Sequence, residues 1–496
     1  MTIRPSLLRL SVFLGVLVWL GLGLCEEAAA RAGGSGGRSS GRSRSSSRSS
    51  HRSSGGGGWS YGGSSSSRSS GISRGAGLNP LVGILFLGIG VVVVVVIARR
   101  MLDTKSSASL PYPTSLDRPS GMDEFLAANP DFDPAAFEGK IRSAFMIIQK
   151  AWSDQDISRA RRFISDGMYQ RFTTQFRMMG LLKQRNLLYD IQIFRVQPVA
   201  FRRDGAFDVI DVWISAVMSD SFTCELDPSM NTRGNDPFAE YWSLIRKRGA
   251  GGTGYNLITD PNCPSCGAAL PKAMGELCRC AHCQVLVNSG EFDWVLAEIT
   301  QEKDYGNDSR MTRHVSSNLE QSIAAVSAEC SDFSQQLVED KASNAFMQIM
   351  TAQATRNPAS VRRFVSDELF EGLAAMIPDR NIVFNRIYLN ESVLLHVRRD
   401  GEKHRLSVGL SASLQRVELL SANDLELLDG EERRLGYILT MERDVDAVPE
   451  KGSLYQHQCS NCGGAVGDTI DVNCQYCGSA LNSTRSEWIV CGFEES

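Results

Sequence analysis

The sequence predicts an α+β fold made of one unit used twice, and three observations carry that reading. "AFMIIQKAWSDQDISRARRFISD" from Ala144 matches "AFMQIMTAQATRNPASVRRFVSD" from Ala345 at a constant offset of 201. Each copy then runs from helix-period patterns into alternating strands, the order that sets helices against an antiparallel sheet. Each copy also carries two C-x-x-C pairs, "CPSCGAALPKAMGELCRCAHC" from Cys263 and "CSNCGGAVGDTIDVNCQYC" from Cys459. The offset is 196 from "RRDG" (Arg202 and Arg398) to the first cysteines, and 194 at Trp294 and Trp488. Such coherence indicates duplication of a whole unit, cysteines included.

In chain order, residues 1–32 read as a signal peptide: Arg4 and Arg9 precede an apolar stretch from Leu10 to Leu24, and small residues follow. Residues 33–77 are almost all Gly, Ser and Arg and cannot bury enough apolar surface to fold. Residues 81–98, "LVGILFLGIGVVVVVVIA", carry no charge. As a helix they reach roughly 27 Å, enough to span a hydrocarbon core. Arg99 and Arg100 follow, which favours a cytoplasmic body, although the Arg-rich arm then lies outside, against the positive-inside trend. The thiols decide the orientation, because C-x-x-C pairs of the metal-binding type suit a reducing compartment. A linker, 99–121, leads to the first α+β domain, 122–258, and a cysteine module, 259–300. A helical linker, 301–340, leads to the second domain, 341–454, and the second module, 455–496.

Within the first copy, Phe145, Ile148 and Trp152 form one apolar stripe on a helix. A second helix is predicted from Asp166 to about Leu182, with Met168, Phe172 and Phe176 on one side. "YDIQIFRVQPVAF", a turn at Asp204 and Gly205, "FDVIDVWISAVM" and "EYWSLIRKRG" read as strands. In the second copy Leu406, Val408, Leu410, Ala412 and Leu414 alternate with small or polar residues, which predicts one core face and one more open face. "GAGGTG" from Gly249 leads to Pro261 and the cysteines rather than into a helix, so it reads as a flexible link, not a phosphate loop.

Charge narrows the function. To Leu102 the chain has twelve arginines and no lysine against Glu26 and Glu27, a net +10, so the remainder carries −14 of the total −4. An acidic body is a poor binder of nucleic acid. The cysteine modules agree: Lys272 and Arg279 face four acids between Cys263 and Glu298, and Arg485 faces five from Cys459 onward.

Eight of the thirteen cysteines form four C-x-x-C pairs, separated by 13 residues in the first module and 11 in the second. This is zinc-ribbon spacing, with Cys263, Cys266, Cys280 and Cys283 as one ligand set and Cys459, Cys462, Cys474 and Cys477 as the other. Gly267, Gly463 and Gly478 follow three of the pairs where the backbone must turn toward sulfur, and Gln284 stands in the fourth place. Disulfides and a redox dithiol are the alternatives. Cys278 is a rival for Cys280, but aligning Asn288 with Asn482 pairs Cys280 with Cys474. Four protein sulfurs leave no open coordination position, so two structural Zn2+ ions are expected.

The stretch from Met122 to Tyr169, with "NLLYDIQIFRVQPV" and "EYWSLIRKRG", resembles the domain shared by mitochondrial inner-membrane translocase subunit 44 and its bacterial relatives. Phe125 and Leu126, Phe145, Ala151-Trp152 with Asp156, and Ser165-Asp166 before Tyr169 carry the resemblance. It implies a cone-shaped fold of the nuclear transport factor 2 superfamily and a membrane-associated, non-catalytic module that holds partner proteins or anionic lipid at a bacterial inner membrane. Trp152 becomes Gln353 and Asp156 becomes Asn357 in the second copy. The first copy is therefore expected to carry the recognition surface, with Phe125, Leu126, Phe132 and Phe137 either as an apolar face for a partner or lipid or packed on their own domain.

The alternative is an enzyme or small-ligand binder using the cone pocket. Asp211 shares a strand face with Phe207, Val209 and Trp213, but no histidine or second carboxylate accompanies it and Ser407 is its counterpart. His396 and His404 read as strand-surface residues. No nucleophile elbow or metal-hydrolase signature is present.

Overall fold

The computed structural model describes residues 120–496 except 251–254, 276, 307–310, 378, 448–458, 460, 465 and 467–470. The expected signal peptide, arm, membrane span and almost all of the linker lie outside the described residues. Among those described, no helix is long and apolar enough to cross a membrane.

Each unit begins with a 21-residue helix, α2 (Pro134–Asp154; α1 is Met122–Ala128) or α5 (Gln335–Thr355; α4 is Leu319–Glu329). The ends are set alike. Asp133 and Ser334 cap the first turns, accepting from backbone amides, and Gln155 and Arg356 end the helices in the left-handed region at φ 55° and 57°. Shorter helices follow, α3 (Asp166–Leu181) and α6 (Asp367–Ala375), capped by Ser165 and Ser366.

The first sheet comprises β1 (Gln184–Asp204), β2 (Phe207–Cys224), β3 (Thr232–Gly234), β4 (Phe238–Lys247) and β5 (Val295–Gln301), in the order β1-β2-β4-β5 with β3 paired to β2. The second comprises β6 (Ile382–Asp400), β7 (Lys403–Ser421), β8 (Asp424–Leu427), β9 (Arg433–Asp444) and β10 (Ile489–Glu495), in the order β6-β7-β9-β10 with β8 on β7. The connectivity is identical. The long hairpins also break register at equivalent places: Tyr189/Gln192, Ile193/Arg195 and Pro198/Ala200 in one, and Asn385/Tyr388, Leu389/Glu391 and Leu394/His396 in the other. Such bulges bend and twist a sheet, curling it over the helix that fills its concave side.

Two expectations need correction. The cysteine module is not appended after the domain. Val295–Gln301, expected to end the module at residue 300 and start the linker, returns as edge strand β5 beside β4, and Ile489–Glu495 does the same beside β9. Each module is therefore an insertion between the last two strands of its own sheet. The second correction concerns the face of β7 expected to be open. Ser411 and Ser413 are buried, because the chain linking the units crosses the outer faces of both sheets. Trp213 donates to Glu302 at 3.3 Å, Tyr305 stacks on Tyr241 with ring centroids 3.7 Å apart, Arg434 pairs with Asp304, and Ser316 N–H donates to the Leu395 carbonyl at 2.9 Å.

The units pack through α3 and α5. Every α5 residue from Gln336 to Ala352 is buried, the polar ones included. One side of α5 fills its own sheet, and its polar side meets the first unit. Ser165 Oγ donates to Asp340 at 2.5 Å, Gly167 N–H to the same carboxylate at 3.2 Å, and Arg171 to Ser343 at 2.6 Å. The Thr174 and Thr351 hydroxyls lie 3.0 Å apart, and Gln184 donates to Asn385 at 2.8 Å. Asp204, at the β1–β2 turn, accepts from Ser334 Oγ and the amides of Gln335 and Gln336, so the first unit caps the second unit's main helix. Gly167 is required here: a Cβ would sit 2.2 Å from Asp340 Oδ1.

Candidate metal centres

Both cysteine sets converge as the spacing predicts, each bringing four sulfurs within 4.8 Å of one another. Cys263–Cys283 and Cys266–Cys280 sulfurs are 3.7 and 3.8 Å apart; Cys459–Cys477 and Cys462–Cys474 are both 3.7 Å apart. A tetrahedral ion with metal–sulfur bonds of about 2.3 Å requires sulfur–sulfur edges of about 3.8 Å. A disulfide requires about 2.05 Å. The geometry therefore fits Zn2+ and excludes cross-linking within the clusters.

The knuckles explain how so short a segment reaches this geometry. Gly267 N–H donates to the Cys263 carbonyl, and Gln284, Gly463 and Gly478 repeat the bond to Cys280, Cys459 and Cys474. All four turn residues have positive φ, 74° at Gly267, 62° at Gln284, 72° at Gly463 and 73° at Gly478. Gln284 thus takes the glycine conformation despite its side chain, whose amide donates to the Ala281 carbonyl at 2.9 Å. The Val285 amide and neighbouring thiols push Cys283 down to about 7, whereas burial pushes Cys263 up to about 12. The Ser479 hydroxyl and amide push Cys477 down to about 6, while burial raises Cys459 to about 12. Each cluster thus offers an accessible thiolate to an arriving cation, and binding displaces protons from the rest. Cys278 is not a ligand; it is buried with its sulfur 3.5 Å from that of Met274.

The same lysine and arginine positions stitch each module to its unit. Lys140 pairs with Asp293 and Lys341 with Glu487; Arg162 donates to the Asp260 carbonyl and Arg363 to that of Val466. Arg279 of the first module donates to the Gly463 carbonyl in the first knuckle of the second, at 2.8 Å. By sequence alone Arg279 is only a cation; its acceptor lies 184 residues away. The Lys140/Lys341 pairing was visible as two lysines at the 201 offset, each matched by an acid directly before Trp294 or Trp488.

The expected apolar face is largely internal. Phe125 is fully buried and Phe137 nearly so, packed with Phe132, Phe201 and Trp294, while Arg246 lies over the Trp294 ring at 4.5 Å. The helix-period aromatics close the first unit's core, so Phe125 presents no free surface and Phe137 shows only an edge to the cleft beside Phe132. Leu126 remains exposed, and Phe132 lines a cleft of about 650 Å³ with Lys140, Arg246 and Trp294. Trp152 is also buried, stacking on Tyr388 of the second unit with centroids 6.3 Å apart. Asp156 caps a turn by accepting from Ser158 N–H, and Asn357 does the same for Ala359 N–H. These two residues are structural.

Asp211 is saturated by Arg202 at 2.7 Å, Ser243 at 2.7 Å and Tyr305 at 3.0 Å. His404, expected on the surface, is buried against Glu329, 2.9 Å away, because α4 covers the start of β7; His396 is half-buried.

The family model of the Tim44-like domain matches residues 119–259. No curated protein matches. Among solved structures, an Ntf2 like protein involved in plasmid conjugation shares 10% identity, covering 59% of this chain and 87% of its own, with a TM-score of 0.12. That score is too low to carry an argument.

Proposed function

We propose that the chain is a membrane-tethered, non-catalytic scaffold that holds proteins or lipid at a bacterial inner membrane, with its body on the cytoplasmic side, in translocation or assembly of other proteins. The observation that carries this reading is the Tim44-like match over the first unit. The rest is compatible with it. The acid most suited to catalysis, Asp211, is held by three donors under the linker between the units. The four-sulfur sites have no position left for a substrate once an ion is bound. The expected span at 81–98 supplies the tether, and the reducing side preserves the thiols. Leu126 and Phe132, the accessible members of the predicted apolar set, are the proposed partner contacts on the first unit.

Photo-crosslinking from positions 126 and 132 of the full chain in intact membranes tests this. Specific protein or lipid adducts, lost from position 126 on Phe132→Ser and from position 132 on Leu126→Ser at unchanged zinc content, are the expected result. A periplasm-only reporter active after Ser496, or adducts indifferent to these changes, overturns the orientation or the surface respectively.

A further inference from the structure

The contact between the units joins unlike faces, and each face has an unused twin in the same chain. The second unit offers α5 and β6; the first receives them on α3 and its neighbours. The twin of the α5/β6 face is α2/β1 of the first unit, and the twin of the first half of the α3 face is α6 of the second, which ends at Ala375, the counterpart of Thr174.

The α2/β1 twin is open and apolar. Met146 is 44% exposed, Leu187 54% and Tyr189 49%. Their counterparts Met347, Val383 and Asn385 are buried, the first two in a core cluster that includes Met178 and Leu182 of the first unit. The helix and strand form one continuous face, because Arg142 donates to the Ile193 carbonyl at 3.1 Å. On the other twin, Glu368, Gly372, Ala375 and Met376 are all exposed.

Size and charge make these two open faces complementary. Inside the chain, Gly167 faces Asp340 and Arg171 faces Ser343. At the open twins the first pair becomes Glu368 and Gly139, and the second becomes Gly372 and Arg142. The glycine changes sides in one pair and a large residue faces a glycine in the other, while a Cβ on either Gly139 or Gly372 meets nothing within 4 Å. Gln184 bonds Asn385 inside the chain; its twin Arg380 would face Tyr189. The adjacent bulge residue, Arg386 at φ 50°, is Asp190 at φ 53° in the first unit, a second acid for the exposed Arg380, which pairs with Glu418 in its own unit.

From this we propose that a second copy of this chain docks its α6 face on the α2/β1 face of the first, repeating between chains the contact made within each. The interface is heterologous, so it propagates head to tail unless a ring closes. It is independent of the scaffold reading and of the surface at Leu126.

Sedimentation of the full chain in detergent tests it. The wild type is expected to associate with rising concentration beyond a dimer. Met146→Glu and Gly372→Arg each block one face and are expected to stay monomeric alone. Mixed, they retain one complementary pair of faces and should give a 1:1 dimer and nothing larger. Asp190→Arg and Arg380→Asp should each weaken association at least tenfold and restore it when combined in one chain. Zinc content and thermal unfolding report folding, with Leu187→Asp and Glu368→Lys replacing any unstable variant. A wild type monomeric at all concentrations, a single face-blocked variant that still dimerises, or a mixture that stays monomeric overturns the proposal.

Discussion

The same arginine–aspartate pair occurs in both units, in unlike surroundings. Arg161 and Asp166 are completely buried, with the second unit's α5 against them; Arg362 and Asp367 form the equivalent pair with the Asp367 side chain 76% exposed. The sequence around them is nearly the same, so the difference comes from what each unit packs against. The first unit lends its α3 face to the second and the second has no unit to receive its own. A duplicated fold thus acquires one desolvated, polar interface within the chain and leaves its twin uncovered by the other unit. The thermodynamic weight of identical residues then diverges, because breaking a buried pair strands a charge whereas breaking an exposed one returns both partners to solvent.

The metal sites sit outside that asymmetry and carry the largest expected effect. Zinc supplies folding free energy on the order of 10 kcal/mol to such short segments. Cys280→Ser and Cys474→Ser should each reduce bound zinc from two ions per chain to one, measured on protein purified from reducing, zinc-supplied medium. The comparison sharpens in thermal unfolding. The first module sits between β4 and the edge strand β5, and Glu298 on β5 contacts Arg171 and Gln336, so Cys280→Ser should lower the stability of both units. Cys474→Ser should affect mainly the second. Equal losses would mean that the modules do not transmit to the interface.

Next in size is the duplicated ion pair itself. Asp166→Ala should cost about 3–5 kcal/mol, because it leaves Arg161 buried without its carboxylate. Asp367→Ala should cost less than about 1 kcal/mol. Urea unfolding of the two variants measures the gap, and similar values would contradict the burial difference.

Much of this asymmetry could not be read from the chain. Periodicity located α2, α3 and the β1–β2 hairpin because each repeats a local rule, and the four cysteine pairs were legible because metal geometry is written into C-x-x-C spacing. Partner choice is not local. Trp152 and its replacement by Gln353 marked a real difference between the units, yet the difference lies in an internal contact with Tyr388. Phe125 and Phe137 looked like a surface patch because "MDEFLAANPDFDPAAFEGK" precedes the repeat, and only the folded sheet shows Phe201 and Trp294 waiting for them. The edge strands β5 and β10 were hidden by the inserted modules, which put about 50 residues between neighbouring strands. The polar run Gln336, Glu339, Asp340 and Ser343 resembles a solvated helix face until α3 is laid on it.

The same interface gives a smaller, pH-dependent effect. Burial, with Glu298 nearby, pushes Glu339 up to about 8; burial, with Asp166 nearby, pushes Asp340 up to about 7 against the opposing pull of Ser165 and Arg171. Both folded values lie above the unfolded ones near 4, so the folded chain holds more protons across that window. Stability is then greatest at the acidic end and falls as pH rises from about 4 toward 8. Asp340→Asn removes the cost of ionising that site while keeping an acceptor for Ser165, so its stability should decline less between pH 4 and pH 7 than the wild type's. The exposed twin face has Gly139 at the position of Asp340, so that carboxylate has no counterpart there. An unchanged pH slope in Asp340→Asn would place the titrating group elsewhere.

The smallest effect expected separates a cap from a recognition residue. Asp156 looked functional because the second copy replaces it with asparagine, but Asp156 and Asn357 accept the same kind of bond, from Ser158 N–H at 3.0 Å and from Ala359 N–H at 3.1 Å. Asparagine and aspartate are nearly equivalent as caps, whereas alanine loses about 1 kcal/mol. Asp156→Asn should therefore leave stability within a few tenths of a kcal/mol of the wild type and leave crosslinking from positions 126 and 132 unchanged. Asp156→Ala should lower stability by about 1 kcal/mol without a selective loss of adducts. If Asp156→Asn abolished the adducts at full stability, the carboxylate charge itself would be the contact, and the second unit's asparagine would mark a lost binding function.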